Sequence, residues 1–287
     1  MNAPTVHSLH HPDTGSWTHV IADPGTSRAL VIDPVLDYDA RSGRTGQHFA
    51  GEVAGLLNHF GYQLDWILET HAHADHLTAA AWLKSNCGGR IGIGAGITAV
   101  QETFRALFNL GEDFMADGSQ FDHLFQDGEK MAFGGTEFLV IATPGHTSDS
   151  VSYLVGDALF SGDVLFQPGN GTGRCDFPGA SAAQLFTSIR RLYGLPGSTR
   201  VFVGHDYPVA GKAAAAETSI DAQRSGNVHL CQSTSQAAFV ALREARDATL
   251  AVPALLIPAL QVNIRAGQFP AAEGNGTVYL KTPVDRL

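Results

Sequence analysis

The segment Thr70-His71-Ala72-His73-Ala74-Asp75-His76 sets three imidazoles and a carboxylate within six residues, directly after the apolar run Leu64-Asp65-Trp66-Ile67-Leu68. A short apolar run that ends in such a segment reads as a strand delivering its C-terminal end to a metal site. Imidazole and carboxylate are the side chains that hold zinc or iron, and no structural purpose needs them at this density. The competing explanation is a polar strand-to-helix loop with incidental histidines. The rest of the chain argues against it.

Three further segments each end a strand-like run in a candidate ligand. Phe138–Thr147 places His146 on a Pro-Gly turn, Leu159–Asp163 places Asp163 after Ser-Gly, and Val201–Asp206 places His205 after Gly. In each case glycine precedes the candidate, so an unhindered backbone can turn sharply at a strand end. Singly, each would be a capping or turn residue. Jointly, the set from His71 to His205 points to one metal centre.

The surrounding pattern alternates between strands and helices. Trp17–Ala22 and Ala29–Pro34 read as a hairpin across Asp23-Pro24-Gly25, and Gln47–Phe60 as a helix stopped by Gly61. Leu77–Lys84, Thr98–Phe108, Ala182–Leu192, Lys212–Gln223 and Ser235–Leu250 read as helices. Arg90–Ile93, Lys130–Phe133, Glu137–Ile141, Ser150–Val155, Ala158–Phe160 and Arg200–Val203 read as strands. This is a layered α/β fold with two sheets inside and helices outside. The expected division is a catalytic domain over 1–208 and an extension over 209–287 lying on it, helical and then irregular from Val252 to Pro270.

A formal charge of −10 with no Lys/Arg run argues against a general nucleic-acid surface. No apolar stretch is long enough to span a bilayer. The three cysteines, Cys87, Cys175 and Cys231, form no CxxC and cannot all pair, so a reducing, cytoplasmic setting is expected.

The ordered set His71, His73, Asp75, His76, His146, Asp163 and His205 resembles the metallo-β-lactamase fold superfamily. That resemblance implies an αββα four-layer sandwich with metal at one edge of the two sheets. Within it, three segments resemble the persulfide dioxygenases, in their longer bacterial branch. They are His71-Ala72-His73-Ala74-Asp75-His76-Leu77-Thr78, the element Gly173-Arg174-Cys175-Asp176-Phe177, and Pro258–Gly267 with its Asn263 and Arg265. The last departs from the family pattern by extra residues between Pro258 and Asn263, and the loop Gln167–Thr172 is longer than in the shortest members.

The resemblance implies one Fe(II) per chain on His71, His146 and Asp163. Such a facial triad leaves three adjacent coordination positions open and a net single positive charge. His73, Asp75, His76 and His205 then orient ligands or hydrogen-bond to water. The implied reaction takes glutathione persulfide, O2 and water to sulfite and glutathione, in a homodimer. Arg174, Tyr207 and Arg265 are the expected substrate contacts, with Lys212 a weaker one; surface ion pairs or a core-edge tyrosine explain them equally. The hydrolases of the same fold use all seven ligands for two zinc ions, with Asp163 bridging, to cleave thioesters of glutathione. A sensor with a degenerate site is a third reading, against which the intact ligand set argues. His7, His10 and His11 are expected in a mobile terminus, and His59, His123 and His229 without ligand company. Asp176 is expected to anchor Arg174.

Overall fold

The computed structural model describes residues 3–208 and 212–286. Two six-stranded sheets form its centre. The first runs in the order Thr5–His11, Ser16–Ala22, Arg28–Ile32, Gln63–Leu68, Arg90–Gly94, His123–Phe125. The second runs Lys130–Phe133, Thr136–Ala142, Val151–Val155, Ala158–Phe160, Arg200–Phe202, Glu217–Ser219. Antiparallel pairing opens the first sheet, which turns parallel from Arg28–Ile32 onward. The second is antiparallel except where Ala158–Phe160 pairs with Arg200–Phe202.

Side chains on a strand point alternately to its two faces, and both faces of these sheets are covered. Leu30, Ile32, Trp66 and Leu68 of the first sheet meet Phe138, Val140, Tyr153 and Phe160 of the second in a shared core. Val31 and Ile67 point the other way, into a layer built by helices α1 (His48–Phe60), α2 (Ala80–Cys87) and α3 (Ile97–Leu107). Leu159 and Val201 meet α4 (Ala182–Leu192), α5 (Ile220–Gly226) and α6 (Gln236–Asp247) on the far side. In α4, Leu185, Ile189 and Leu192 recur at helical spacing on the buried face, and the Ser181 hydroxyl caps its start by accepting from Gln184 N–H. The αββα sandwich is therefore as the sequence implies.

Several boundaries differ. His7, His10 and His11 lie in a seven-residue edge strand, Thr5–His11, paired along its whole length with Ser16–Ala22. The sequence hides this strand because its apolar residues are few and its outer face is polar. Leu77–Thr78 pairs with Val35–Leu36 before α2 begins at Ala80. Lys212–Gln223 is not one helix, since Glu217–Ser219 joins the second sheet first. The boundary expected after Pro208 abuts residues 209–211, which lie outside the described residues. The stretch Val252–Pro270 is not irregular throughout: it contains α7 (Leu256–Asn263), whose Ala259 and Val262 pack against Leu77 and Ala79 beside the histidine-rich loop. Pro258 sits in its first turn, where no intrahelical N–H is needed, so this proline does not break the helix.

Candidate metal centre

Glu69 and Thr70 follow the strand Gln63–Leu68, and the loop His71–His76 comes next at the rim of the sandwich. Backbone amides pin that loop from three sides. Ala72 N–H donates to Asp149 Oδ2 at 2.8 Å, and Thr70 N–H donates to Asp33 Oδ1 at 2.7 Å. From α7, the Asn263 amide donates to the carbonyls of His73 and His76, both at 2.8 Å, and accepts from Thr78 N–H at 2.9 Å. His146 and Asp163 arrive on turns where a side chain could not stand. A Cβ on Gly145 (φ 140°) would lie 2.2 Å from Leu185 N, and one on Gly162 (φ 51°) 2.5 Å from Thr70 Oγ1.

All five imidazoles of the set are buried: His71, His73, His76, His146 and His205 are each 4% exposed or less. Their hydrogen bonds decide which ring nitrogen is free. His146 Nδ1–H donates to the Arg174 carbonyl at 2.7 Å, which leaves Nε2 as a lone-pair donor. His76 Nδ1–H donates to the Leu77 carbonyl at 3.2 Å, leaving its buried Nε2 with no protein partner. At His71 the same result comes through a relay. Thr70 Oγ1 spends its hydrogen on Asp33 Oδ2 at 2.8 Å, so it can only accept from His71 Nδ1–H at 3.0 Å. Burial, helped by the neighbouring His73, holds the His71 imidazole well below its ordinary pKa, neutral and ready to coordinate. Burial opposes charge on His205, yet Asp163 and Asp75 push it up: its Nδ1 meets Asp163 Oδ1 and its Nε2 meets Asp75 Oδ2, each at 2.6 Å.

Ligand atoms fall into groups in which all lie within 4.8 Å of one another. His71, His146 and Asp163 form one; Asp75, Asp163 and His205 a second; His73, Asp75 and His76 a third. Buried imidazole nitrogens without protein partners, aimed into a nest of carboxylates, fit a bound transition metal. His73 also groups inward with Asp33 and Glu69, its Nε2 3.0 Å from Asp33 Oδ1. Burial works against charge there, but those carboxylates raise His73 to about 9.

Asp33, Glu69, Asp149 and Asn263 were not singled out as site residues by sequence. Asp33 ends a strand-like run ahead of Pro34 and adopts φ 51°, a left-handed backbone that aspartate tolerates. An Asp-Pro after a β run was the available signal. Asn263 was visible only within the family-like C-terminal element.

A cavity of about 740 Å3 opens onto Asp75, His146 and Asp163. Arg174 and Tyr207 line it, whereas Arg265 and Lys212 are not on its wall. Tyr207 stacks on His205 at 5.9 Å between ring centroids. Arg174 forks onto Asp176 through Nε and Nη2, both at 2.6 Å, and donates from Nη1 to the Ala251 carbonyl. The expected Arg174–Asp176 pair is present. Arg265 instead lies over the Phe114 ring at 4.3 Å. Cys175 is held by burial to a thiol, pushed up to about 12.

An αββα sandwich with this ligand order at its rim defines a metal-dependent enzyme fold, and comparison with known proteins places it. The model of the metallo-beta-lactamase superfamily matches residues 11–205, and the chain belongs to that superfamily. It is 45% identical to a beta-lactamase hydrolase-like protein of Agrobacterium fabrum over 99% of its own length, though it spans only 65% of that relative. It is 43% identical to glyoxylase B2 of Dictyostelium discoideum, covering 93% of this chain and 92% of the relative. Human mitochondrial persulfide dioxygenase ETHE1 is 29% identical, over 69% of this chain and 67% of the relative. Among solved structures, ETHE1 from Myxococcus xanthus superposes with a TM-score of 0.74 at 29% identity, over 92% of this chain and all of that one. Among the described residues no helix is long and apolar enough to cross a membrane.

Proposed function

We propose that this chain is a metal-dependent enzyme acting at the sulfur of a glutathione conjugate, and that its reaction is persulfide oxidation at one Fe(II). The observation that carries this reading is the gathering of His71, His146 and Asp163 ligand atoms within 4.8 Å, in a group that His73 does not join. Two imidazoles and a carboxylate suit ferrous iron, which when bound supplies the redox chemistry with O2. The likeness to the Myxococcus ETHE1 structure over nearly the whole chain supports the same reading.

The protein's part is positioning. Arg174 O and Thr70 Oγ1 fix the tautomers of His146 and His71, so both present Nε2. Asp163 is oriented by the proton on His205 Nδ1. Phe177, edge-on to the His146 ring at 5.4 Å, covers an approach to that ligand with apolar surface. Tyr207 and Arg174 stand on the cavity wall where the peptide of the substrate would lie.

A second reading, thioester hydrolysis at two zinc ions, has its own support. Asp163 belongs to both the His71–His146 group and the Asp75–His205 group, as a bridging ligand would. The names of the more similar relatives, at 43% and 45% identity, also favour hydrolysis. Metal analysis with paired assays separates the two. One iron per chain, with O2 uptake on adding glutathione persulfide, is the expected result, and Asp163→Ala should remove both. Two zinc ions per chain with cleavage of a hydroxyacylglutathione would overturn the dioxygenase reading.

A further inference from the structure

The turn at residues 12–15, between the strands Thr5–His11 and Ser16–Ala22, separates two cavities. On one side is the cavity that opens onto Asp75, His146 and Asp163. On the other is a second cavity of about 740 Å3, walled by the small hairpin that pairs Tyr38–Asp39 with Arg44–Thr45. Thr14 lines both. His11 and Ser16 face each other across the strand pair at the base of the turn, 6% and 1% exposed. Polar side chains buried to that degree need partners, and theirs lead from one cavity to the other.

Ser16 Oγ lies 3.0 Å from His205 Nε2 and 3.4 Å from Asp75 Oδ2, at the metal centre. It is 2.8 Å from Thr14 Oγ1, which is itself 2.8 Å from His11 Nδ1. Beyond the ring, His11 Nε2 faces Asp37 Oδ1 at 3.5 Å on the wall of the second cavity. The hydrogens of this chain can all point one way. A carboxylate beside Nε2 favours the His11 tautomer that carries its hydrogen there, which leaves Nδ1 to accept from the Thr14 hydroxyl. Thr14 Oγ1 then accepts from the Ser16 hydroxyl, and Ser16 Oγ accepts from the His205 side. A proton entering at Ser16 is passed on as each hydroxyl donates its own hydrogen forward, and one proton arrives at His11 Nδ1. His11 releases its Nε2 hydrogen towards Asp37 and solvent, and rotation of the two hydroxyls resets the chain.

We propose that Ser16, Thr14 and His11 form a relay that carries protons from the metal centre to solvent in the second cavity while substrate fills the first. Both reactions considered above release protons. A persulfide, O2 and water give a thiol, sulfite and two protons; a thioester and water give a thiol, a carboxylate and one proton. A substrate seated against Asp75 and Asp163 closes the direct way out, whereas the second cavity stays open. Its wall sets Asp13, Asp37 and Asp39 against Arg41 and Arg44, and Phe49 of α1 stands edge-on to the His11 ring at 5.0 Å. Carboxylates and solvent at that end receive what His11 gives up. The inference rests on the proposed function only in needing turnover at this centre, and it stands or falls separately from the metal count.

Thr14→Val removes the middle oxygen and leaves every candidate metal ligand in place. Turnover of the metal-loaded chain, in dilute and in concentrated non-coordinating buffer, tests it. In dilute buffer Thr14→Val should lower kcat about tenfold or more, within what a positioned proton-transfer group supplies, with KM and metal content unchanged. Concentrated buffer carries protons by diffusion, so it should restore much of kcat to Thr14→Val and to His11→Gln and change the wild type little. Thr14→Ser keeps the hydroxyl and should behave as the wild type does. A Thr14→Val kcat equal to wild type in dilute buffer, or a deficit that buffer leaves in place, would overturn the relay. A second readout needs no turnover. Nitrogen-15 NMR of the histidine-labelled, metal-free chain should find the neutral His11 ring with its hydrogen on Nε2 and none on Nδ1. A hydrogen on Nδ1 would reverse the chain and overturn the proposal, whichever reaction the metal count favours.

Discussion

Thr70 is not itself a candidate metal ligand, yet its hydroxyl decides which nitrogen His71 presents. Its one hydrogen goes to Asp33, so the oxygen must accept from His71 Nδ1–H. Thr70→Val keeps the shape and removes that acceptor, and the His71 ring is then free to take the other tautomer. Metal affinity should fall about 10–100-fold, the usual cost of losing a ligand's orienting partner. Competition with a chelator, read by metal analysis after dialysis, measures it. Unchanged affinity would mean that the loop backbone alone orients the ring. None of this was legible from spacing, because the hydroxyl's role depends on Asp33, 37 residues earlier.

At the scale of elements, α7 ties the C-terminal extension to the ligand loop. Asn263 is 4% exposed and makes three hydrogen bonds to that loop's backbone. Asn263→Ala would leave two carbonyls and one amide buried without partners. The expected cost is about 2–5 kcal/mol of stability, since each orphaned buried group costs about 1–3 kcal/mol and relaxation recovers part. Chemical denaturation of the metal-free protein reads this directly, and a loss below half a kcal/mol would remove α7 from the account of the centre. Asn263→Asp keeps the acceptor for Thr78 N–H but sets a carboxylate oxygen against the His73 and His76 carbonyls, so it should destabilise at least as much as Asn263→Ala. The Gly-preceded ligands His146, Asp163 and His205 were readable because strand ends and glycine leave a local signature. The α7 helix was not, because Pro258 within it and Pro253 just before it resemble irregular chain until Leu77 and Ala79 are seen beside them.

Across the whole molecule, the alternating strands and helices made the sandwich legible, while its edges were less so. The strand Thr5–His11 is recognisable only by its partner, since pairing is a long-range property. That partner carries a group with a consequence for stability. His19 is fully buried between the sheets, near Phe160 and Phe202, donating from Nε2 to the Val203 carbonyl and accepting from Ser8 Oγ at Nδ1. Burial lowers its pKa from 6.5 to about 4. A histidine lowered in this way contributes nothing to pH dependence above its unfolded value. As pH falls from 6.5 towards 4, the unfolded chain takes up the proton first and the fold loses about 3 kcal/mol relative to neutral pH. His19→Gln keeps hydrogen-bonding groups without the titration. Its unfolding free energy should therefore lose less than the wild type's over that window, and parallel curves would exclude His19 as the source.

One short stretch couples the two halves of the site. Arg174 gives its carbonyl to His146 and its side chain to Asp176, while the next residue's amide is held by Asp247 on α6. Redesigning this wall to admit a bulkier guest is thus inseparable from retuning the ion itself. Selectivity and metal grip will drift together in any library randomised there, and variants that gain one independently of the other must come from Val228 or Leu250.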